Sequence, residues 1–217
     1  MYAEVNGKQA FFATGSGPID PDQPTVVFIH GAGMDHTVWV LPARHFARHK
    51  YNVIAADLPG HGKSEGDPPP SIEASADWVS ALLSVLNFQQ AAIVGHSMGS
   101  LVALAMAANH PKQARSLTLL GTSLPMQVTD QLLSAAKDNS HDAIDMANTW
   151  SHSRFGQMGG NDNPGMWMTG GGQRLLERAG TDVFFTDLNG CNEFTHGQCQ
   201  CAIGTSTSAC PRYRCSK

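Results

Sequence analysis

No cysteine occurs before residue 191 of this chain. The five present, Cys191, Cys199, Cys201, Cys210 and Cys215, crowd into the last 27 residues, whereas a disulfide-stapled scaffold spreads them through the fold. Charge is scarce as well: 15% of residues are Asp, Glu, Lys or Arg, and the net charge is −4. Without a basic excess there is no electrostatic footprint for nucleic acid. No apolar run approaches the ~20 residues needed to cross a bilayer. The first residues, Met1-Tyr2-Ala3-Glu4-Val5-Asn6, lack the basic and apolar regions of a secretory signal, so a cytoplasmic location is the expectation. What the chain does have is 217 residues, 41% of them apolar, enough for one domain with a sizeable core.

That apolar content is organised. Segments 25–29, 52–56, 91–94 and 116–120 are unbroken apolar runs of β-formers, as strands buried on both faces of a parallel sheet require. Between them, 72–86 carries Trp78, Leu82, Val85 and Leu86 at helical spacing. Segment 101–108 is apolar nearly all round and stops before Pro111. Residues 1–15, broken by Asn6-Gly7, predict an edge hairpin. The strand–helix alternation predicts an α/β fold with a mainly parallel sheet and helices on both faces. From 125 the pattern changes to short helical stretches, including 130–137 and 142–150, and a Gly-rich stretch with Met158, Met166, Trp167 and Met168. This divides the chain into a core at 1–124, a cap at 125–188 and a Cys-rich tail at 189–217.

Three motifs carry chemistry. Gly95-His96-Ser97-Met98-Gly99 follows a strand and opens a helix, the context of a G-x-S-x-G nucleophile elbow. A tight strand-to-helix turn exposes Ser97 Oγ at the positive end of the helix dipole. His30-Gly31-Ala32-Gly33-Met34-Asp35-His36 follows the strand at 25–29; backbone N–H groups of such a loop, most simply Ala32 with Met98 of the elbow, can share the charge of an oxyanion. Gly31, Gly33, His36 and His96 are the expected pocket lining. The third motif, Asp57-Leu58-Pro59-Gly60-His61-Gly62-Lys63-Ser64, contains Gly-Lys-Ser, but a phosphate-binding loop needs glycine where Asp57 stands. It reads as a structural turn beside the site.

Together these motifs resemble the α/β-hydrolase superfamily, and its esterase and lipase-like members with a helical cap in particular. The resemblance covers residues 1–195. It implies hydrolysis of carboxylic esters of small molecules through a serine acyl-enzyme, with no cofactor and no metal. Haloalkane dehalogenases and epoxide hydrolases of this fold carry aspartate where Ser97 stands. A C–C bond hydrolase, a perhydrolase or a catalytically impaired fragment that only binds ligands are the alternatives.

The resemblance also implies an acid and a histidine after Ser97, in that order. Beyond the cap the chain shows no apolar strand and no strand-terminal aspartate, so the last strands of the family are expected to be missing. His196 is the only histidine there and the one catalytic candidate in that order; a solvated tail histidine is its competing reading. A four-thiolate zinc site from Cys199, Cys201, Cys210 and Cys215 lacks paired C-x-x-C spacing. The loss of periodicity near 195 fits a lost reading frame better. Strand 116–120 would then be a bare sheet edge, expected to be covered by the tail or by a second copy of the chain.

Overall fold

The computed structural model describes residues 1–160 and 165–195. Six strands run through it: β1 (Tyr2–Val5), β2 (Lys8–Ala13), β3 (Thr25–Ile29), β4 (Asn52–Ala56), β5 (Ala91–His96) and β6 (Ala114–Leu120). They form one sheet in the order β1-β2-β4-β3-β5-β6. The first two strands are an antiparallel hairpin turned at Asn6 (φ 52°) and Gly7 (φ 76°), the pair of positive φ values that a two-residue turn needs to match strand twist. β2 joins β4 antiparallel, and β4, β3, β5 and β6 are parallel.

Alternation along the parallel strands divides the core in two. Val27, Ile29, Ile54, Ala56, Ala91 and Ile93 face one side, where they pack with α2 (Ile72–Val85) and α3 (Met98–Asn109). Val26, Phe28, Val53, Ala55 and Val94 face the other, under Trp39 and Ala43. Ala43 belongs to α1 (Val40–Arg48), which follows a 3₁₀ turn at His36–Trp39. Both faces being covered explains the unbroken apolar runs of β3, β4 and β5; the run at 116–120, expected to be buried likewise, lies in the outer strand β6 and is mostly exposed. α2 starts where Ser71 Oγ accepts the Ala74 N–H at 3.2 Å, a side-chain N-cap. Helix α1 had no counterpart in the sequence reading, because Ala43 is its only fully buried residue and Val40 and Leu41 face solvent.

The region expected to form a cap holds α4 (Asp130–Lys137), α5 (His141–Ser151), α6 (Arg154–Gln157), α7 (Met168–Leu176) and α8 (Val183–Glu193). Leu132, Ala136, Ala143 and Leu188 form its small core. α8 runs through the expected boundary at 188/189. It buries Val183, Asp187, Leu188, Gly190 and Cys191 along one face, at the spacing of an amphipathic helix. Cys191 and Phe194 join the main core beside α3, so Cys191 is a buried structural thiol, whose pKa burial pushes up to about 12. The other four cysteines, with the zinc and frame-loss readings attached to them, lie outside the described residues.

From β3 the chain crosses to β4 on one side and later returns to β5 on the other. The connections diverge there, and the carboxyl ends of β3 and β5 frame the crevice where ligands bind in open α/β sheets. β6 is the outer strand, with mostly exposed side chains and β5 as its sole partner among the described residues. The core behind the crevice is tight. Leu101 on α3 is fully buried, and Leu101→Ala is expected to cost ~3 kcal/mol, read as a fall of roughly 6–12 °C in thermal midpoint.

Candidate active site

The turn from β5 into α3 is forced by its glycines. Ser97, the residue between them, has φ 53° and ψ −121°, a conformation that costs a non-glycine residue ~1–3 kcal/mol. A Cβ on Gly95 would lie 2.0 Å from the Gly99 carbonyl oxygen, and one on Gly99 would lie 2.3 Å from that of Ile29. Only glycine lets α3 start this close to β3 and β5. Three hydrogen bonds clamp the serine backbone: its N–H donates to Leu120 O at 2.9 Å, and its carbonyl accepts the Ser100 N–H at 2.9 Å and the Ser100 hydroxyl at 2.5 Å. Ser97 is half-buried at the first turn of α3. No group among the described residues hydrogen-bonds its Oγ.

The loop after β3 lies against this turn. A methyl group on Gly31 would sit 3.3 Å from Ser97 Cβ and 3.3 Å from His96 Nδ1. The loop's N–H groups divide into used and unused. Met34 N–H donates to Gly31 O at 3.1 Å, and Gly33 N–H donates to Asp187 Oδ2 at 2.8 Å. Neither the Ala32 nor the Met98 N–H has an acceptor among the described residues. Ala32 packs against both the main core and the cap core.

Four histidines surround the crevice, and each has a distinct state. His30 is fully buried, accepts the Leu58 N–H on Nε2 at 3.1 Å and donates from Nδ1 to Gly31 O at 2.9 Å. That pairing requires the neutral ring. Burial, with the nearby His61, holds its pKa down to about 4. His96 has its pKa lowered by burial alone, and its ring lies 6.5 Å from that of Trp39. His36 lies tilted against Phe11, ring centroids 4.7 Å apart, and donates Nδ1–H to Asp57 at 2.8 Å; its Nε2 has no partner among the described residues. His61 is buried against Asp187 of α8, Nε2 to Oδ2 at 2.8 Å.

Asp57, at the end of β4, organises the third motif. It accepts the His36 N–H at 2.6 Å and the Lys63 N–H at 2.9 Å besides the His36 ring. Burial opposes its charge, but these bonds outweigh burial and lower its pKa. Gly62 (φ +51°) is tied to the carboxylate by space, since a Cβ there would lie 2.3 Å from Asp57 Oδ2. Asp35, His36 and Asp57 place ligand atoms within 4.8 Å of one another. His36 and Asp57 are already bonded to each other, and Asp35 is bonded to Thr37 and to Arg178 (Nη2 to Asp35 Oδ2, 2.9 Å), which ties the loop after β3 to the chain just beyond α7.

A cavity of about 340 Å³ opens between this network and the end of α7. Gly33, His36, His61, Lys63, Leu175 and Arg178 are among its lining residues. The structure therefore gathers Ser97, Met98, Gly31, Ala32 and His96 at one point, and puts Gly33 and His36 on the adjoining cavity. His196 lies outside the described residues. Met158, Met166, Trp167 and Met168 are exposed and are not among the residues lining this cavity. Sequence reasoning missed Asp187 and the pairing of His61 with it. The buried face of α8, polar only at Asp187 and otherwise apolar or Gly190, was the available signal.

A family model described as the alpha/beta hydrolase fold matches residues 24–146. The chain is 38% identical over 108 residues to a pimeloyl-[acyl-carrier protein] methyl ester esterase of Chromobacterium violaceum, covering 50% of this chain and 40% of that protein. It is 30% identical over 154 residues to a lipase of Mycobacterium tuberculosis, covering 68% of this chain and 56% of the lipase. The chain thus spans about half the length of these relatives. Among solved structures, the enol-lactonase of Burkholderia xenovorans superposes with a TM-score of 0.71 at 18% identity, covering 89% of this chain and 74% of that one.

Proposed function

Starting from the premise that the chain belongs to the α/β-hydrolase fold family, we propose that it hydrolyses carboxylic esters of small molecules through an acyl-enzyme on Ser97. The observation that carries this is the backbone of Ser97, held at positive φ between two glycines that tolerate no Cβ and pressed against the loop at Gly31. Strain of this kind persists only where the surroundings over-determine it. The hydroxyl attacks the ester carbonyl, and the carbonyl oxygen takes the negative charge. The N–H groups of Ala32 and Met98 receive it; they are unspent, while those of Gly33 and Met34 are engaged elsewhere. The start of α3 adds its dipole. Collapse expels the alcohol, and water releases the acid.

Attack needs a base for the hydroxyl proton. In the chain order of the family that base is His196. Gly31, Gly33, His36 and His96 complete the pocket, and the mechanism needs neither cofactor nor metal. The edge of β6 is proposed to pair with a second copy of the chain, since its outer N–H and C=O groups have no strand partner among the described residues and are a template for another strand; a monomeric mass in solution would count against it.

The test compares substrates. Short-chain p-nitrophenyl esters are expected to be turned over, and β-diketones not. Cleavage of the diketone alone would assign C–C bond hydrolysis instead. Binding of esters without turnover would assign a ligand-binding role.

A further inference from the structure

We propose that Asp187 is a positioning residue: with a protonated His61 it forms a buried latch that ties the last cap helix to the loop supplying the Ala32 N–H. This rests on the esterase reading and adds to it a device that sets the geometry of the oxyanion site from the cap.

The hydrogen-bond inventory fixes the proton. His61 Nδ1 faces the Pro59 carbonyl at 2.9 Å, and a carbonyl only accepts, so Nδ1 carries a hydrogen. His61 Nε2 faces Asp187 Oδ2 at 2.8 Å. A neutral ring protonated on Nδ1 would turn a lone pair toward the carboxylate. The contact therefore holds a second proton, which the proposal places on the ring, making the pair an imidazolium and a carboxylate. The side chains are 1% and 3% exposed, so solvent screening is weak. The same Oδ2 accepts the Gly33 N–H at 2.8 Å. One oxygen thus holds both the loop after β3 and the turn after β4.

Packing at the same place makes the tie tight. Gly33 has φ +65°, and a Cβ there would lie 2.8 Å from the Phe184 ring and 3.1 Å from Leu176. Phe184 and Asp187 are one turn apart on α8, and Leu176 ends α7. The loop that carries Ala32 is therefore seated on the cap by a carboxylate and by aromatic contact. With Gly33 N–H bound to Asp187, the preceding N–H, that of Ala32, is left without an acceptor among the described residues, in a loop that lies against Ser97 at Gly31.

The groups facing the latch are His30 (ring centroids 4.8 Å from His61), Asp57, Lys63 across the cavity and Cys191 beside Asp187. His30 and Cys191 are neutral, for the reasons given above. Burial opposes a charge on His61, but Asp187, its hydrogen bond, the Pro59 carbonyl and Asp57 outweigh burial and raise the His61 pKa above its usual value. A raised histidine pKa stabilises the fold fully below the unfolded value of about 6.5, and that stabilisation is lost as pH rises through the folded value. The latch is closed below that folded value and opens as pH rises through it.

Two measurements on the full chain test this. Ring nitrogen-15 NMR of His61 is expected to show both nitrogens protonated at neutral pH, titrating only above the range of a free histidine. A neutral His61 at neutral pH overturns the latch. The rate at which a fluorophosphonate labels Ser97 gives the second readout. Labelling of the parent is expected to decline as His61 deprotonates. Asp187→Ala is expected to slow labelling by about 100-fold, the scale of an ångström-sized misplacement. Asp187→Asn is the sharper variant. Its amide oxygen can keep the Gly33 N–H bond while the His61 contact is lost, because one atom cannot both accept from Gly33 and donate to a neutral His61, so labelling stays within a few-fold of the parent and the alkaline decline disappears. An alkaline decline unchanged in Asp187→Asn, or a folded Asp187→Ala labelled at the parent rate, overturns the proposal. If the parent is unlabelled at every pH, the esterase reading fails by itself. His61 NMR with amide exchange of residues 31–34 in Asp187→Asn then decides the latch: an imidazolium in the parent and slow exchange kept in the variant uphold it, and a neutral ring in the parent overturns it.

Discussion

Replacing Ser97 by alanine is expected to lower ester turnover by about 10⁴-fold or more and to abolish fluorophosphonate labelling, with the thermal midpoint nearly unchanged. The split between the two effects is the informative part. Ser97 is half-buried, and its Oγ holds no hydrogen bond among the described residues, so no buried partner is orphaned by its removal. Alanine has a Cβ as serine does, and meets the same backbone strain at φ 53°. The change in stability should therefore stay within about 0.5 kcal/mol. What disappears is the hydroxyl proposed to form the acyl bond. Residual turnover would come from the unspent N–H groups and from binding, which in related serine chemistry is worth ~10³–10⁴ over water. Steady-state rates with a p-nitrophenyl ester, taken with a melting curve, check both halves. An alanine variant that hydrolyses the ester at the parent rate would falsify the assignment.

Gly99→Ala is expected to act the opposite way, through the fold. The added methyl would meet Ile29 O at 2.3 Å and His30 O at 2.5 Å, both backbone atoms that cannot rotate aside. Either α3 moves off β3 or the end of β3 bends. Overpacking of this sort costs ~3 kcal/mol, a drop of roughly 6–12 °C in midpoint for a chain of this size. Activity should fall even in the folded fraction, because β3 leads straight into the loop of Gly31 and Ala32, whose place beside Ser97 the shift disturbs. A melting curve and a fluorophosphonate labelling rate on the folded variant check it; an unchanged midpoint would show that α3 does not start where its contacts place it.

Much of this could be read from the chain alone, for a physical reason. The strands at 25–29, 52–56 and 91–94 are buried on both faces, and double burial writes itself into sequence as an unbroken apolar run. The elbow is legible because its sterics admit glycine alone at positions 95 and 99. The hairpin shows itself through Asn6-Gly7, whose positive φ values few other pairs adopt. Long-range pairing leaves no such trace. His61 and Asp187 are 126 residues apart, and His36 and Asp57 are 21 apart; nothing local tells which acid meets which histidine. α8 was divided at 188 because Cys191 was grouped with the cysteines that follow it. Its burial depends on a core surface supplied by α2 and α3, which a linear reading does not display. Helix α1 escaped notice for a similar reason, since its contact with the sheet is narrow.

The account stands on one hydroxyl and two amide hydrogens meeting at the end of β5. A crystal structure of the fluorophosphonate-treated protein tests that meeting most directly. The expected result is a phosphonyl group on Ser97 whose free oxygen accepts from the Ala32 and Met98 N–H groups at ~2.7–3.1 Å. A phosphonyl group on any other residue, or one on Ser97 with its oxygen turned away from the loop at 31–33, would contradict the account.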